Sequence, residues 1–378
     1  MQPRGPHPQF RFGVQQQQLR TIRIGEKNEV PDIGGVRLIN SHYIPQFLLR
    51  HFCVDDHIHY CNIESKRAET RTTRTVFSEK GYYPEELEHD LCVKIETQFA
   101  NLLNNKIVKE KREIVLSDAE MLLLKKYLIL SVLRVKTDEL AQNLNELGFS
   151  PKEIETFGGN FYENIKKVLD CRTKEEVFRY CALDSEMTNA NLYAYMKDIL
   201  YSFTLFVKTD NCKEDFIIPD RGCACYEGPI HELKHWVVLD VARETGDPYM
   251  FQVARMLTPH DYSVFPLTHD LAVMTISFFF RILAEAGPHA SELNTQGFTF
   301  SDMLGFGSRK LIKPPVLKRL PGNKTEYHCG IRQLTKQDVV FLNSLLLSNA
   351  DRFFAFGDTD KVEQSITQYG KYDFALMH

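Results

Sequence analysis

The chain lacks most of the features that would assign it quickly. It has no long hydrophobic run: the most apolar stretch, Leu271–Phe280, stops at Arg281 and is too short to span a bilayer, so no membrane partner is expected. It has no apolar segment near Met1 of the kind a secretory leader needs, so a secreted protein is not expected either. Neither charge dominates, with 46 Lys and Arg against 50 Asp and Glu, and no global basicity points to duplex DNA. No Gly/Ser-rich linker and no internal repeat divide the chain, which speaks against two separate domains and against a solenoid. A Gly-x-Ser-x-Gly elbow is absent. The two glycines of Leu304–Lys310 stand beside basic residues without Walker or Rossmann spacing. Nor is there a dense cysteine framework. The 9 cysteines are odd in number and scattered from Cys53 to Cys329, so reduced thiols and a cytoplasmic or nuclear location are the expectation.

What is present is an ordinary globular composition, 43% hydrophobic and 25% charged over 378 residues, enough to bury a core without staples. Residues 1–35 are polar and punctuated by Pro and Gly, with the run Gln15–Gln18, and read as an N-terminal tail. From Ser41 to Ile63 the chain reads as a strand-like opening segment. Within it Pro45 argues against a central strand, and His57–Tyr60 alternates as an edge strand does. From Pro84 the period changes: Leu87, Leu91, Ile95, Phe99, Leu102 and Leu103 share a helical face behind an acidic first turn. Capping boxes at Ser117/Glu120, Ser150/Glu153 and Thr173/Glu176 start further helices, the first through about Arg134. Phe203–Val207 and Phe216–Ile218, joined by the turn Thr209–Asn211, read as a hairpin. Trp236–Leu239 and Ser263–Phe265 are strand candidates. Thr335/Asp338 caps a helix to about Asn349, and Phe353–Phe356 closes as a strand. The sequence thus predicts one α+β domain over 36–358, with a helical middle block and a mixed C-terminal half, followed by a C-terminal tail at 359–378.

The block His42–Phe52 places two histidines, an arginine and a proline in an apolar setting, where each polar group needs a partner or a task. Glu88 and Glu96 follow, then the helix ending at Arg134. Later come Phe216-Ile217 with Asp220, Phe265–Thr268, and a helix with Asn343, Ala350 and Arg352. In this order they resemble the family called domain of unknown function forty-two thirty-eight, whose signature begins His-Tyr-x-Pro-Gln-Phe-x-Leu-Arg-x-Phe. The resemblance spans about residues 41 to 358. Two departures stand out. Ile218–Arg221 occupies the place of the family's Ser-Asp-Asn-Pro turn, and Arg134-Val135-Lys136 that of its Arg-Thr-Pro helix end. The resemblance implies a fold family and no particular reaction.

Three constellations suit chemistry. The polar set of the resemblance, His42, Arg50, Glu88, Glu96, Arg134 and Asp220, fits hydrolysis of a phosphate ester, nucleic acid included. In that reading His42 or Glu96 is the base or a metal ligand, Arg50 meets negative charge, and Asp220 orients a partner or binds metal. The alternative is a buried ion-pair network that only organises the fold of a non-catalytic interaction protein. His231-Glu232-Leu233-Lys234-His235 is a formal His-Glu-x-x-His, the zinc peptidase pattern, although Trp236–Leu239 continues it as a strand rather than a helix. Cys223 and Cys225 with His231 and His235 offer two thiolates and two imidazoles within thirteen residues, a donor set for structural zinc or another divalent metal; the bland alternative is a loop with reduced cysteines. The catalytic reading of the first set requires its members to converge on one cleft.

Overall fold

The computed structural model describes residues 40–65, 67–134, 161–177, 199–200, 202–209, 213–226, 244–246, 262–276, 315–322 and 324–369. Strand β1 (Asn40–His42) is short and pairs with β4 (Ser78–Lys80). Pro45 then does what a proline does at a helix start. It stands just before α1 (Gln46–Leu49), where a missing N–H costs nothing, and a 3-10 turn, Arg50–Phe52, follows. The opening segment is therefore strand, helical turn and strand, the second strand being β2 (Ile58–Asn62). β2 pairs with β3 (Ala68–Arg71) on one side.

The helical stretch from Glu85 is continuous but not uniform. Helix α2 (Glu85–Leu91) passes through a π-helical turn, Cys92–Glu96, into α3 (Thr97–Leu102), and a second π turn, Leu103–Ile107, ends it. Leu87, Leu91, Ile95, Phe99 and Leu103 are all buried, as their spacing predicts. Strand β5 (Glu113–Ser117) leads into α4 (Asp118–Leu133), which starts with the expected box: Glu120 N–H donates to Ser117 Oγ, and the Glu120 carboxylate accepts from Ser117 N–H. Helix α5 (Phe161–Asp170) packs on α4 and α2. At 174–177 a helical turn is capped by Thr173, but here the Glu176 carboxylate accepts from Arg172 N–H instead of the cap residue's own. The Ser150 box and Trp236–Leu239 lie outside the described residues.

The later strands build the main sheet. β6 (Phe203–Lys208) lies between β10 (Leu271–Ile276), antiparallel, and β12 (Lys324–Gln333), parallel. β9 (Tyr262–Thr268) and β8 (Ala224–Tyr226) continue on one side; β11 (Val316–Leu320) and β5 both pair with β12 on the other. Every residue of β9 and β10 is buried, which is why Leu271–Ile276 reads as an apolar run broken by Thr275 alone.

The expected hairpin of Phe203–Val207 with Phe216–Ile218 does not form. Both edges of β6 are occupied, and β7 (Ile218–Pro219) joins a different sheet, pairing with β13 (Phe353–Phe356). On its other edge β13 pairs with β2, so the last strand closes onto one of the first. Helix α6 (Lys336–Asn349), capped by the Thr335/Asp338 box, crosses behind β7 and β8. Beyond residue 358 the chain forms α7 (Glu363–Gln368), which packs on α6 with Ser365 fully buried. One continuous apolar cluster runs from Ile44 to Val362 through both the helical and the sheet regions. No helix among the described residues is long and apolar enough to cross a membrane.

Candidate functional site

His42 ends β1 and is almost buried. Its Nε2 lies 3.1 Å from the Thr73 carbonyl, which can only accept, so Nε2 carries the proton and Nδ1 is left as acceptor. The Gln46 side-chain nitrogen, one turn into α1, lies over the ring, 3.4 Å from Nδ1 and 3.3 Å from Nε2. Burial lowers the pKa of His42, outweighing the Thr73 carbonyl and the charge of Glu96, so the ring is favoured neutral.

Glu88 and Glu96 are eight residues apart on one helical stretch. In a uniform α-helix at about 100° per residue they would be splayed by about 80°. The π turn between them adds nearly one residue to its turn and so offsets most of that angle. The two carboxyls consequently act on each other. Burial first, and the charge of Glu96 second, push Glu88 up to about 7, although Arg134, the His42 N–H and the Ser41 hydroxyl pull the other way. Glu96 forms an ion pair with Arg134, and its side chain is 21% exposed, the opening of the cluster toward solvent.

Arg134 terminates α4 with its side chain only 2% exposed. Burial works against its charge; Glu96, Tyr83 and Tyr127 outweigh it, and the net shift is upward. The hydroxyls of Tyr82 and Tyr83 donate to the Arg134 carbonyl at 3.1 and 2.9 Å, fixing the helix end against β4's exit. Glu88 Oε2 and the Nε and Nη1 of Arg134 are buried without a hydrogen-bond partner, and the Tyr127 hydroxyl, bonded to the Ser131 side chain, lies beside Arg134. Such unpaired groups are few in folded proteins, and here they are neighbours.

Of the six residues of the polar set, the structure brings His42, Glu88, Glu96 and Arg134 together; Arg50 and Asp220 stand apart from them. Arg50 is exposed in the 3-10 turn, one helical turn past Gln46, without an ion pair among the described residues. Asp220 belongs to a different structure. Its carboxylate accepts from the backbone N–H groups of Asp351, Arg352 and Phe353 at 2.8, 2.8 and 2.9 Å, and so clamps the start of β13. Its charge reaches Tyr43 and Tyr60.

Cys223 and Cys225 lie at and in β8, two residues apart and thus on one face of the strand. A hydrogen bond with Cys225, then burial, raises the Cys223 thiol well above its usual range, and Ser263 Oγ lies 3.4 Å from Cys225 Sγ. His231, Glu232 and His235 lie outside the described residues. Among the described residues no group of three or more His, Cys, Asp or Glu is arranged to hold a metal.

Sequence reasoning missed Tyr82, Tyr83 and Tyr127, which finish the cluster, and Gln46, although Gln46 stands inside the signature block. Tyr127 sits seven residues before Arg134, two helical turns along the same face, a spacing that could have flagged it.

Fold and site together define an α+β protein with a carboxylate–histidine–arginine cluster beside its first strand. A comparison of families narrows this: residues 40–360 match the family described as protein of unknown function (DUF4238), and the chain belongs to it. No curated protein and no solved structure matches the chain.

Proposed function

We propose that this chain is a hydrolase-like enzyme acting on a phosphate ester, nucleic acid included, through the cluster of His42, Glu88, Glu96 and Arg134. The observation that carries the reading is the concentration of unpaired buried polar atoms on Glu88 and Arg134 at one place. Two carboxyls in unequal environments divide the labour of acid and base. Glu88, which keeps its proton to about pH 7, protonates the leaving oxygen. Glu96, paired on one side with Arg134 and open on the other, takes a proton from the attacking water. His42 presents a neutral ring beside them, and Arg50, exposed one turn from Gln46, is the cation that meets the substrate's phosphate. Asp220 has no part in the step, because its oxygens already hold the β13 backbone.

The test is hydrolysis of bis(p-nitrophenyl) phosphate, which has no hydroxyl next to phosphorus, by the full chain. Glu96→Gln lowers the rate by about 100-fold; Glu88→Gln does so on diphenyl phosphate, whose poorer leaving oxygen needs the proton, and removes the limb of its pH profile near 7. A folded wild type without turnover of phosphate esters overturns the proposal. The contrary reading, a non-catalytic interaction protein, is favoured by the near-complete burial of Arg134 and by the two tyrosines on its carbonyl. It expects the same substitutions to lower stability alone.

A further inference from the structure

A second set of titratable groups, none of them in the cluster around Glu88, meets at the turn between β9 and β10. His269 sits in that turn. Its backbone N–H donates to the His51 carbonyl at 3.3 Å and its carbonyl accepts from Phe216 N–H at 2.7 Å. The turn is thereby fixed both to the 3-10 turn of Arg50–Phe52 and to the segment before β7. The imidazole Nδ1 lies 3.1 Å from Asp215 Oδ2. Asp215 is itself held, with its N–H on the Lys361 carbonyl at 2.7 Å and the Lys361 ammonium 3.6 Å from the same Oδ2. The His269 side chain is 45% exposed while Asp215 behind it is 11% exposed. With Nδ1 engaged, Nε2 is the nitrogen left for a ligand. Asp270 bonds Thr268 Oγ1 and lies 3.5 Å from the Lys208 ammonium. His51, half-buried, is hydrogen-bonded by the Asn104 side chain and feels the charges of His269 and Asp270.

We propose that His51 and His269 form an acid–base pair that cleaves the phosphodiester of RNA by attack of the neighbouring 2′-hydroxyl. The two rings are prepared in opposite senses. Burial chiefly lowers the pKa of His51, with the charge of His269 adding to it. The hydrogen bond to Asp215 chiefly raises that of His269, against burial and Lys361. Between the two, His51 is a base and His269 an acid, which is the division that transfer of one proton in and one proton out requires. In the step, His51 takes the 2′-hydroxyl proton, the oxygen attacks phosphorus and a new P–O bond forms. The P–O5′ bond breaks, and the leaving oxygen takes the His269 proton. The products are a 2′,3′-cyclic phosphate and a 5′-hydroxyl. No water, metal or cofactor is consumed, and the protons balance. Lys361 and Lys208 offset the charge that gathers on the phosphoryl oxygens. Asp215 is a positioning residue, setting the tautomer and the acidity of His269.

The experiment uses the full chain in EDTA with an oligoribonucleotide and its 2′-O-methyl counterpart. RNA is cut to ends bearing 2′,3′-cyclic phosphate, with a bell-shaped pH profile, and the 2′-O-methyl strand, which the Glu88 site could still hydrolyse, yields no cyclic ends. His51→Ala and His269→Ala each lower the rate by about 100-fold, thermal melts verifying that both are folded; should His51→Ala melt early, His51→Gln takes its place. Asp215→Asn lowers the rate by about tenfold and moves the limb assigned to His269 to lower pH. RNA ends that carry no 2′,3′-cyclic phosphate, an unchanged rate of cyclic-phosphate formation in folded His269→Ala, or no cutting by folded wild type overturns the proposal. Because bis(p-nitrophenyl) phosphate has no neighbouring hydroxyl, failure here and failure of the Glu88 site are read separately.

Discussion

Glu88 and Asp220 are both carboxylates held away from water, and their surroundings give them different work. Asp220 is supplied with donors, the N–H groups of residues 351–353. Asp220→Ala leaves those donors buried and orphaned, and the expected loss is about 3 kcal/mol of unfolding free energy in urea; a change within about 0.5 kcal/mol would show that the β13 start is fixed by its strand pairing alone. Around Glu88, burial and the charge of Glu96 outweigh Arg134, the His42 N–H and the Ser41 hydroxyl, and it rises from an ordinary 4.5 to about 7. The folded protein therefore holds a proton that the unfolded chain gives up near pH 4.5. Its contribution is complete below that pH and is lost as pH rises through about 7. At about 1.4 kcal/mol per unit, discounted for the partial exposure of the carboxyl, the loss amounts to about 2 kcal/mol. Wild type should lose that much more stability than Glu88→Gln between about pH 5 and pH 8, and parallel declines would mean that Glu88 is already ionised at pH 5. Sequence position singled out both residues. It could not tell the clamp from the acid, because Asp220's donors come from a strand more than a hundred positions further along the chain.

Among the elements, α4 has a role beyond its own packing. Lys125 and Lys126 both sit in its buried middle. Lys126 Nζ donates to the carbonyls of Leu169 and Cys171 at 2.8 and 2.7 Å, tying down the C-terminus of α5, where a cation is also favoured by the helix dipole. Lys125 Nζ donates to Ile199 and Ser202 at 2.6 and 2.9 Å, and burial lowers its pKa to about 7. Adjacent lysines thus fasten two separate stretches to one helix. Lys126→Met should release backbone protection in 165–177 and Lys125→Met in 202–208, each costing about 1–3 kcal/mol. Hydrogen exchange that stays unchanged in those stretches would show that apolar contacts hold them instead. Local signals carried the ends of α4 and α6, since a capping box is made of residues three apart. The π turn that lines up Glu88 with Glu96 has no such local mark, and neither has a lysine whose carbonyl partners lie forty and seventy residues away.

Across the whole molecule, the polar joints decide which parts act as one body. The alternation of β2 and the aromatic run of β13 announced strands, but not that the two would pair, nor that β12 would run parallel to β6. Such pairings depend on loop closure over long separations, which leaves no pattern in a window of ten residues. The same holds for the joint at Asn343, which is fully buried in α6. Its Oδ1 accepts from Ile217 N–H at 3.2 Å, and its Nδ2 donates to the Asp215 carbonyl and to Ser365 Oγ, both at 2.8 Å. Ser365 N–H in turn donates to Glu214, which is fully buried, at 2.7 Å. One amide therefore joins α6, the segment that carries Asp215, and α7. Asn343→Leu keeps the volume and removes all three bonds of the amide itself, so the expected cost is about 3 kcal/mol or more. A chain cut after residue 358 removes α7 and leaves Glu214 without the Ser365 donor, and it should be destabilised by a similar amount. If the joint works as a unit, combining Asn343→Leu with the truncation costs clearly less than the sum of the two. Additive losses would mean that α7 is held by its apolar contacts and that Asn343 serves the Asp215 segment alone.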